Sequence, residues 1–479
     1  MKHKQCIVIG AGVAGLSSAA LLASKGYDVM VIEQSSTYGG KVGERMVGHA
    51  YFDSGPSVCT DPRVIDLVYT KCGKNPRDYW QYQKLLENTA YFWPSDDTRY
   101  TMPIGTARIE RSIVHTFHER PKKVRAYSKR TQALYALTAR YYIDRKIALK
   151  TLFHPKAFVG AMKILPLLFS TVNTRNSRYF SNPKTVQLFN RYATYSGSNP
   201  YKAPAVLQFA AIPELTQGVY FPDGGMRSIA TGLYKLCEDV GVKFLFNKKI
   251  TSLQQSNNFV TSVRVNKQQF LCDTLLYSGD VVRLYELLGD TTHKHKIAQT
   301  ERSTSAIVFY WEVRGTFKQF GLHNVIFSDD YQKEYAQLQR GEIPQDPTIY
   351  LNITSKADRS HAAKGTENWF VMVNVPAGTK DVAILALKDV VKAKLETMLG
   401  GYITILHEHT MSPTDIATST GAWQGAIYGQ ASNSLQSLLF RPKNHAKTPY
   451  NIYRVGGTVH PGGGIPLAVR SALITTDML

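Results

Sequence analysis

Cys6-Ile-Val-Ile-Gly10-Ala-Gly12-Val-Ala-Gly15 and, after an Ala/Leu-rich stretch, Asp28-Val-Met-Val-Ile-Glu33 are the residues that decide the fold. The apolar run from Cys6 to Gly10 predicts a strand, Val13 to Gly26 a helix closing at a glycine, and Asp28 to Glu33 a second strand. Each glycine of the G-x-G-x-x-G pattern has a task. Gly10 permits the tight strand-to-helix turn, Gly12 lets a pyrophosphate approach the backbone, and Gly15 lets the helix lie close on the strand. Glu33 ends the second strand where a carboxylate takes hydrogen bonds from a ribose, and an acid there disfavours a 2′-phosphate. The chain is therefore expected to be α/β, with a Rossmann-type nucleotide-binding domain at its start.

Gly39-Gly40-Lys41 follows a few residues later. Here the sequence resembles flavoproteins of the glutathione-reductase-like superfamily, in which a Gly-Gly pair passes close to the cofactor, so FAD is expected in preference to NAD. No second strand-GxGxxG-helix unit is visible. At the other end, Tyr453-Arg-Val-Gly456-Gly457-Thr-Val-His460-Pro461-Gly462-Gly463-Gly464-Ile465-Pro466 runs from a strand through a glycine cluster into a helix ending near Leu479. A helix start there would aim N–H groups and a positive dipole end at an electron-rich group such as the flavin's pyrimidine edge.

Between these ends, the glycine-poor, Arg/Lys/Tyr-rich stretch from about Tyr91 to Leu207 reads as an inserted helical segment broken by prolines. After Pro222-Asp-Gly-Gly225 a helix is expected to about Val240, then strands Lys243 to Phe246, Val260 to Val265 and Phe270 to Tyr277. Further strands are expected at Ala306 to Val313, Ile349 to Ile353, Trp369 to Val375 and Tyr402 to His407, with a helix from about Val382 to Leu399. The 479 residues exceed one ordinary domain. The expected division interleaves a cofactor domain, 1–90, 215–300 and 421–479, with a mixed-sheet and helical substrate domain, 91–214 and 301–420.

A formal charge of +21 calls for an anionic partner or surface. From Arg108 to Arg178 there are 16 Lys or Arg against 3 Asp or Glu, so most of the excess sits in one segment. That segment also holds the apolar run Phe158 to Phe169, interrupted by Lys163 and Pro166 and shorter than the ~20 residues a spanning helix needs. Peripheral attachment to an anionic membrane surface is expected. Nucleic acid is not, because the segment has no aromatic-stacking or zinc-finger pattern. The 5 cysteines are scattered, none spaced Cys-x-x-Cys, and the start does not read as a secretory signal, so a cytoplasmic setting is expected.

Several further stretches carry a specific likeness: Phe52-Asp-Ser-Gly-Pro-Ser57, Thr60-Asp-Pro62, Tyr192-Ala-Thr-Tyr-Ser-Gly-Ser-Asn-Pro-Tyr201, Pro222-Asp-Gly-Gly-Met226 and the closing Gly-Gly-x-x-His-Pro-Gly-Gly-Gly-Ile-Pro. Together they resemble the bacterial phytoene-desaturase family of carotenoid desaturases over nearly the whole chain. The resemblance implies non-covalent FAD held by Gly10, Gly12, Gly15, Glu33, Gly40, Lys41, Gly55, Asp280, Gly457 and Ile465, with Ala14, Gln34, Ser54, Ile250, Gly456, Gly464 and Pro466 beside them. Ser278-Gly-Asp280 departs from the family's Asn-Ala-Asp-like ending. The His-Pro-Gly-Gly-Gly-Ile-Pro-Leu form is similar to the branch that installs a 3,4 double bond in 1-hydroxylated carotenoids. It also implies a position for His460 near the flavin, where packing beside the ring is the expected role and acid/base catalysis the alternative.

Desaturation removes two hydrogens from adjacent carbons beside a conjugated system. Losing hydride first leaves an allylic cation spread over the polyene, so no strong base is needed, and none is visible. The acceptor that reoxidises the flavin stays open between oxygen and a quinone. The alternatives are a redox-neutral carotenoid isomerase, an amine oxidase with cysteine-tethered FAD, and a lipid-binding module without cofactor. No cysteine follows Cys272, which argues against the tether. His407-Glu-His409 and His293/His295 lack a third ligand by spacing, so no metal is expected. The acids Asp96-Asp97 and Asp329-Asp330 read as solvated turns.

Overall fold

The computed structural model describes residues 4–144, 162, 164–380, 384–446 and 448–479. β1 (Gln5–Ile9), α1 (Val13–Ser24) and β2 (Asp28–Ile32) succeed one another as the glycine pattern demands. Gly10 has φ +96°, a conformation that favours glycine, and a Cβ on Gly15 would stand 2.0 Å from the Gly10 carbonyl oxygen. That contact sets how close α1 lies to β1. Residues Val13 to Leu22 are all buried, against the helices Arg227–Asp239 and Ile465–Thr476. The buried hydroxyls of Ser17 and Ser18 return to the Val13 and Ala14 carbonyls, both at 2.8 Å, so a helix enclosed on every side leaves neither unpaired.

β1 is central in a five-stranded sheet of order Ile452–Arg454, Thr274–Tyr277, β1, β2, Lys243–Leu245. Every pairing in it is parallel. Gly10, Glu33, Ser278 and Gly456 thus lie just past the carboxyl ends of neighbouring strands, where open α/β sheets bind ligands. The run Phe270 to Tyr277, expected as one strand, is two. Gln268–Leu271 ends a three-stranded antiparallel sheet with Ile250–Ser256 and Phe259–Val265. At Asp273 the chain crosses to the parallel sheet, where its N–H and a carboxylate oxygen bond Gln5 at 3.0 and 2.9 Å.

A seven-stranded sheet runs in the order Ile405–Met411, Ser305–Arg314, Thr366–Val375, Ile349–Asn352, His323–Ile326, Glu87–Trp93, Thr98–Pro103. It is antiparallel except where His323–Ile326 meets Glu87–Trp93. The stretch from Tyr91 therefore opens with strands joined by a short 3-10 turn, and its α-helices begin only at Thr106. Six consecutive buried residues, Asn88 to Trp93, remove the polar alternation that marks a strand in sequence. The strand expected at Tyr402 to His407 lies later, at Ile405–Met411. No helix among the described residues is long and apolar enough to cross a membrane. Residues 158–161 and 163 of the apolar run, with the basic residues Arg145 to Lys156, lie outside the described residues.

Candidate active site

A cavity of about 1020 Å³ extends from the carboxyl ends of the parallel strands to one face of the seven-stranded sheet. Gly10, Gly12, Ala14, Glu33, Gln34, Gly40, Lys41, Ser54, Gly55, Ile250, Asp280, Gly456, Gly457, Gly464, Ile465 and Pro466 all line it. Gly15 does not. Its lack of a side chain serves the packing of α1 on the Gly10 turn, the helix-on-strand role read from the motif, rather than the cavity wall.

At one end of the cavity the two glycine motifs meet. The Gly39 N–H donates to Ala11 O at 2.8 Å, and a Cβ on Gly40 would come within 3.1 Å of the Gly12 Cα. Backbone faces backbone there, leaving a strip that a phosphate can approach. Glu33, 8% exposed, accepts from the N–H groups of Ala11 (2.7 Å) and Ser35 (2.8 Å), which fix the carboxylate at the cavity wall. At the other end a Cβ built on Gly464 meets nothing within 4 Å, so the first turn of the helix Ile465–Thr476 faces open space. A glycine strip, an acid where a ribose would lie and a roomy helix start are what an FAD needs, and the residues present fit it.

Asp280 caps the helix Val281–Leu287, its Oδ1 accepting from the Val282 N–H at 3.0 Å. Its Oδ2 accepts from Arg302 (2.9 Å) and the Trp423 N–H (3.1 Å). Its two oxygens are thus spent on a helix cap and a buried ion pair at the cavity wall. Beside it the Lys41 ammonium donates to Ile427 O at 2.7 Å. Burial pulls the Lys41 pKa down to about 8, with Asp280 opposing and Arg302 reinforcing the shift.

His460 is 1% exposed and does not line the cavity. Its ring stands edge-on to Tyr142, centroids 4.8 Å apart, and Tyr142 lines the cavity in its place. Its peptide is held on both sides, the N–H donating to Pro442 O at 2.9 Å and the carbonyl accepting from Asn444 at 2.9 Å. His460, expected near the flavin, is thus packed behind Tyr142, while Gly462, Gly463 and Gly464 of the closing loop line the cavity.

Among the described residues no three His, Cys, Asp or Glu come together to hold a metal. His407 instead meets Glu312 at 2.8 Å.

Several cavity residues were not singled out from sequence. Tyr350 accepts from Ser57 at 2.9 Å, and its hydroxyl meets His323 Nδ1 at 2.8 Å. Arg191 and Tyr428 line the same space, together with Thr194 and Tyr195 of the motif Tyr192 to Tyr201. Arg191 was legible only as a lone cation beside a tyrosine-rich motif.

His323 carries a pH consequence. Burial, with Arg191 reinforcing it, drives its pKa from 6.5 to about 3. As pH falls below about 6.5 the unfolded chain takes up this proton and the native one resists until about 3, so stability is lost across that window. Wild type should therefore lose up to about 1.4 kcal/mol per pH unit more than His323→Gln between pH 6 and 4. Parallel urea-unfolding curves for the two proteins across that range would show that His323 is not held neutral.

The chain matches the family described as flavin containing amine oxidoreductase over residues 13–477. It is 37% identical to a 1-hydroxycarotenoid 3,4-desaturase of Flavobacterium sp. (strain P99-3), across 99% of both chains. It is 28% identical to a 4,4'-diapophytoene desaturase (4,4'-diaponeurosporene-forming) of Staphylococcus aureus (strain Newman), across 98% of this chain and 97% of that one. In fold it is similar to an oxidoreductase from Methanosarcina mazei, with TM-score 0.63 and 14% identity over 98% of this chain and 99% of the other. A putrescine oxidase bound to putrescine gives TM-score 0.64 and 11% identity over 100% and 99%. With the Rossmann glycine strip, the carboxylate at the end of the second strand and a full-length relative in view, the chain belongs to the flavin-containing amine oxidoreductase family as a member of its carotenoid-desaturase branch, an FAD-dependent oxidoreductase acting on CH–CH bonds.

Proposed function

We propose that this protein introduces a 3,4 double bond into a 1-hydroxylated carotenoid. The 37% identity to a relative of that activity, sustained over 99% of both chains, carries the proposal. Bound FAD supplies the hydride acceptor. In this reading Gly12 and Gly40 receive the pyrophosphate, Glu33 the ribose, and the Gly456–Pro466 loop the ring. The segments 1–90, 215–300 and 421–479 carry the cofactor, and 91–214 with 301–420 the polyene. The protein's own tasks are to align one C–H bond, exclude water and support the transferred charge. Val308, Val325, Phe370 and Met372 give the polyene an apolar wall from the seven-stranded sheet.

Incubating FAD-loaded protein with vesicle-borne 1-hydroxycarotenoid under oxygen or a quinone should yield a product two hydrogens lighter, its absorption shifted to longer wavelength. An isomer of unchanged mass would identify an isomerase instead.

The polyene's route is supported by a surface beside the cavity. Leu438 lines the cavity and packs with Ile164, Leu167 and Leu168. Around this cluster Phe169 and Phe440 are 76% and 75% exposed, with Met162, Leu165 and Leu439 exposed beside them. On the basic helix Pro121–Thr138, Lys122, Lys123, Arg125 and Lys129 are exposed. Exposed apolar side chains, with exposed cations on a helix that shares Leu134 with their cluster, suit an anionic lipid surface. Binding to vesicles should rise with anionic lipid and weaken with salt without vanishing, since screening leaves the apolar contact intact. Equal binding to neutral and anionic vesicles would remove the electrostatic part.

A further inference from the structure

One cavity group has no task in removing hydrogen from a hydrocarbon: the guanidinium of Arg191. It is 6% exposed. Its donors reach Tyr91 Oη at 3.1 Å and Tyr195 Oη at 3.5 Å, and the rings of Tyr91, Tyr192 and Tyr195 lie 5.5, 5.7 and 5.3 Å from its carbon. A guanidinium has five N–H donors. The described residues engage two of its nitrogens, the second at the limit of bonding distance, and the group faces the cavity. A desolvated cation with donors left over is costly unless something else completes its shell.

Two features say what completes it. Glu214 stands behind the tyrosines, accepting from Tyr192 at 3.0 Å and from Tyr195. Its carboxylate offsets the guanidinium, so the cluster favours a neutral oxygen over an anion. Thr194 supplies the matching acceptor. Its hydroxyl proton goes to Arg191 O at 2.7 Å, leaving its oxygen, on the cavity wall, free to accept. A donor and an acceptor on the wall of one cavity fit a hydroxyl.

The turn that carries the cluster also reaches the closing glycine loop through one side chain, Tyr428. The turn carrying Arg191 ends at Gly197, where a Cβ would meet Tyr428 at 3.0 Å, and the other side of Tyr428 lies against Gly463 of the closing glycine loop. In a 1-hydroxylated polyene the oxygen lies within roughly 4 Å of the nearer carbon of the 3,4 bond. A hydroxyl-recognising group must therefore sit beside that bond, and Tyr428 links the turn carrying this cluster to the loop assigned above to the flavin ring.

We propose that Arg191 and Thr194, supported by Tyr195, form a subsite that binds a hydroxyl on the polyene end next to the reacting bond, which makes Arg191 a specificity-determining residue. The proposal rests on the desaturase function above.

Its test uses FAD-loaded protein and vesicles carrying polyenes of one chain length, ending in a tertiary hydroxyl, its methyl ether, or hydrogen. Wild type should favour the hydroxyl form over the hydrogen form by about 100-fold or more in kcat/KM, because the hydrogen form leaves the guanidinium unpaired. In Arg191→Gln that ratio should collapse to below about fivefold, chiefly through loss on the hydroxylated polyene. In Thr194→Val the hydroxyl-to-ether ratio should fall at least about tenfold while the flavin spectrum is kept. Should Arg191→Gln fail to hold flavin, Thr194→Val and Tyr195→Phe decide by the same ratios. Equal use of hydroxyl and hydrogen forms by wild type, or ratios unchanged in flavin-loaded variants, overturns the subsite and leaves the desaturase function standing. Desaturation of none of the three overturns both.

Discussion

Gly12→Val should give a folded but colourless protein, whereas wild type carries flavin that acid precipitation releases completely into the supernatant. Folding should survive because Gly12 has φ −73° and ψ 171°, which valine adopts freely. A Cβ there meets only the Gly40 Cα, at an ordinary 4.0 Å. The new methyl groups instead occupy the strip where backbone N–H groups would receive a pyrophosphate. Losing two charge-assisted hydrogen bonds at roughly 2 kcal/mol each weakens binding about a thousandfold. Flavin absorbance at matched protein concentration measures the loss. A fully loaded Gly12→Val protein would move the cofactor elsewhere, and flavin left in the acid pellet of wild type would show a covalent bond. Gly40→Val is not an equivalent test, because φ +59° and a 3.1 Å approach to Gly12 strain the backbone itself.

The nucleotide-binding half was legible because its geometry is local. Gly10, Gly12 and Gly15 act within one turn, and Glu33 lies one strand away, so spacing alone expresses the constraint. What sequence obscured is long-range. The Asn88 to Trp93 strand is buried on both faces, so its pattern does not separate strand from helix. Tyr350 belongs to the site only because pairing within the seven-stranded sheet brings it to Ser57, 293 positions away. His460 shows the opposite failure. The motif located its backbone, but the direction of the side chain depends on Tyr142, which no spacing connects to it.

The same geometry separates the members of the closing loop by effect, with Gly463→Val expected to be far the more damaging change. A Cβ on Gly463 would stand 2.5 Å from a Tyr428 ring carbon. The ring cannot retreat, because Gly197 lies against its other side, where a Cβ would stand 3.0 Å away, and the Tyr428 N–H is tied to Ser303 at 3.0 Å. Tyr428 lines the cavity, so relief of the clash drives it into the space of the polyene beside Arg191. A displacement of about an ångström at a reacting centre costs on the order of 100-fold in rate. His460→Ala instead removes a ring that supports Tyr142 from behind, and should cost below about tenfold because cavity and cofactor contacts persist. Anaerobic rapid mixing with vesicle-borne carotenoid reads flavin bleaching directly and separates this half-reaction from reoxidation. Unchanged bleaching in flavin-loaded Gly463→Val would detach the loop from the reacting end of the cavity. Abolished bleaching in flavin-loaded His460→Ala would mean that the imidazole handles a proton in spite of its position behind Tyr142.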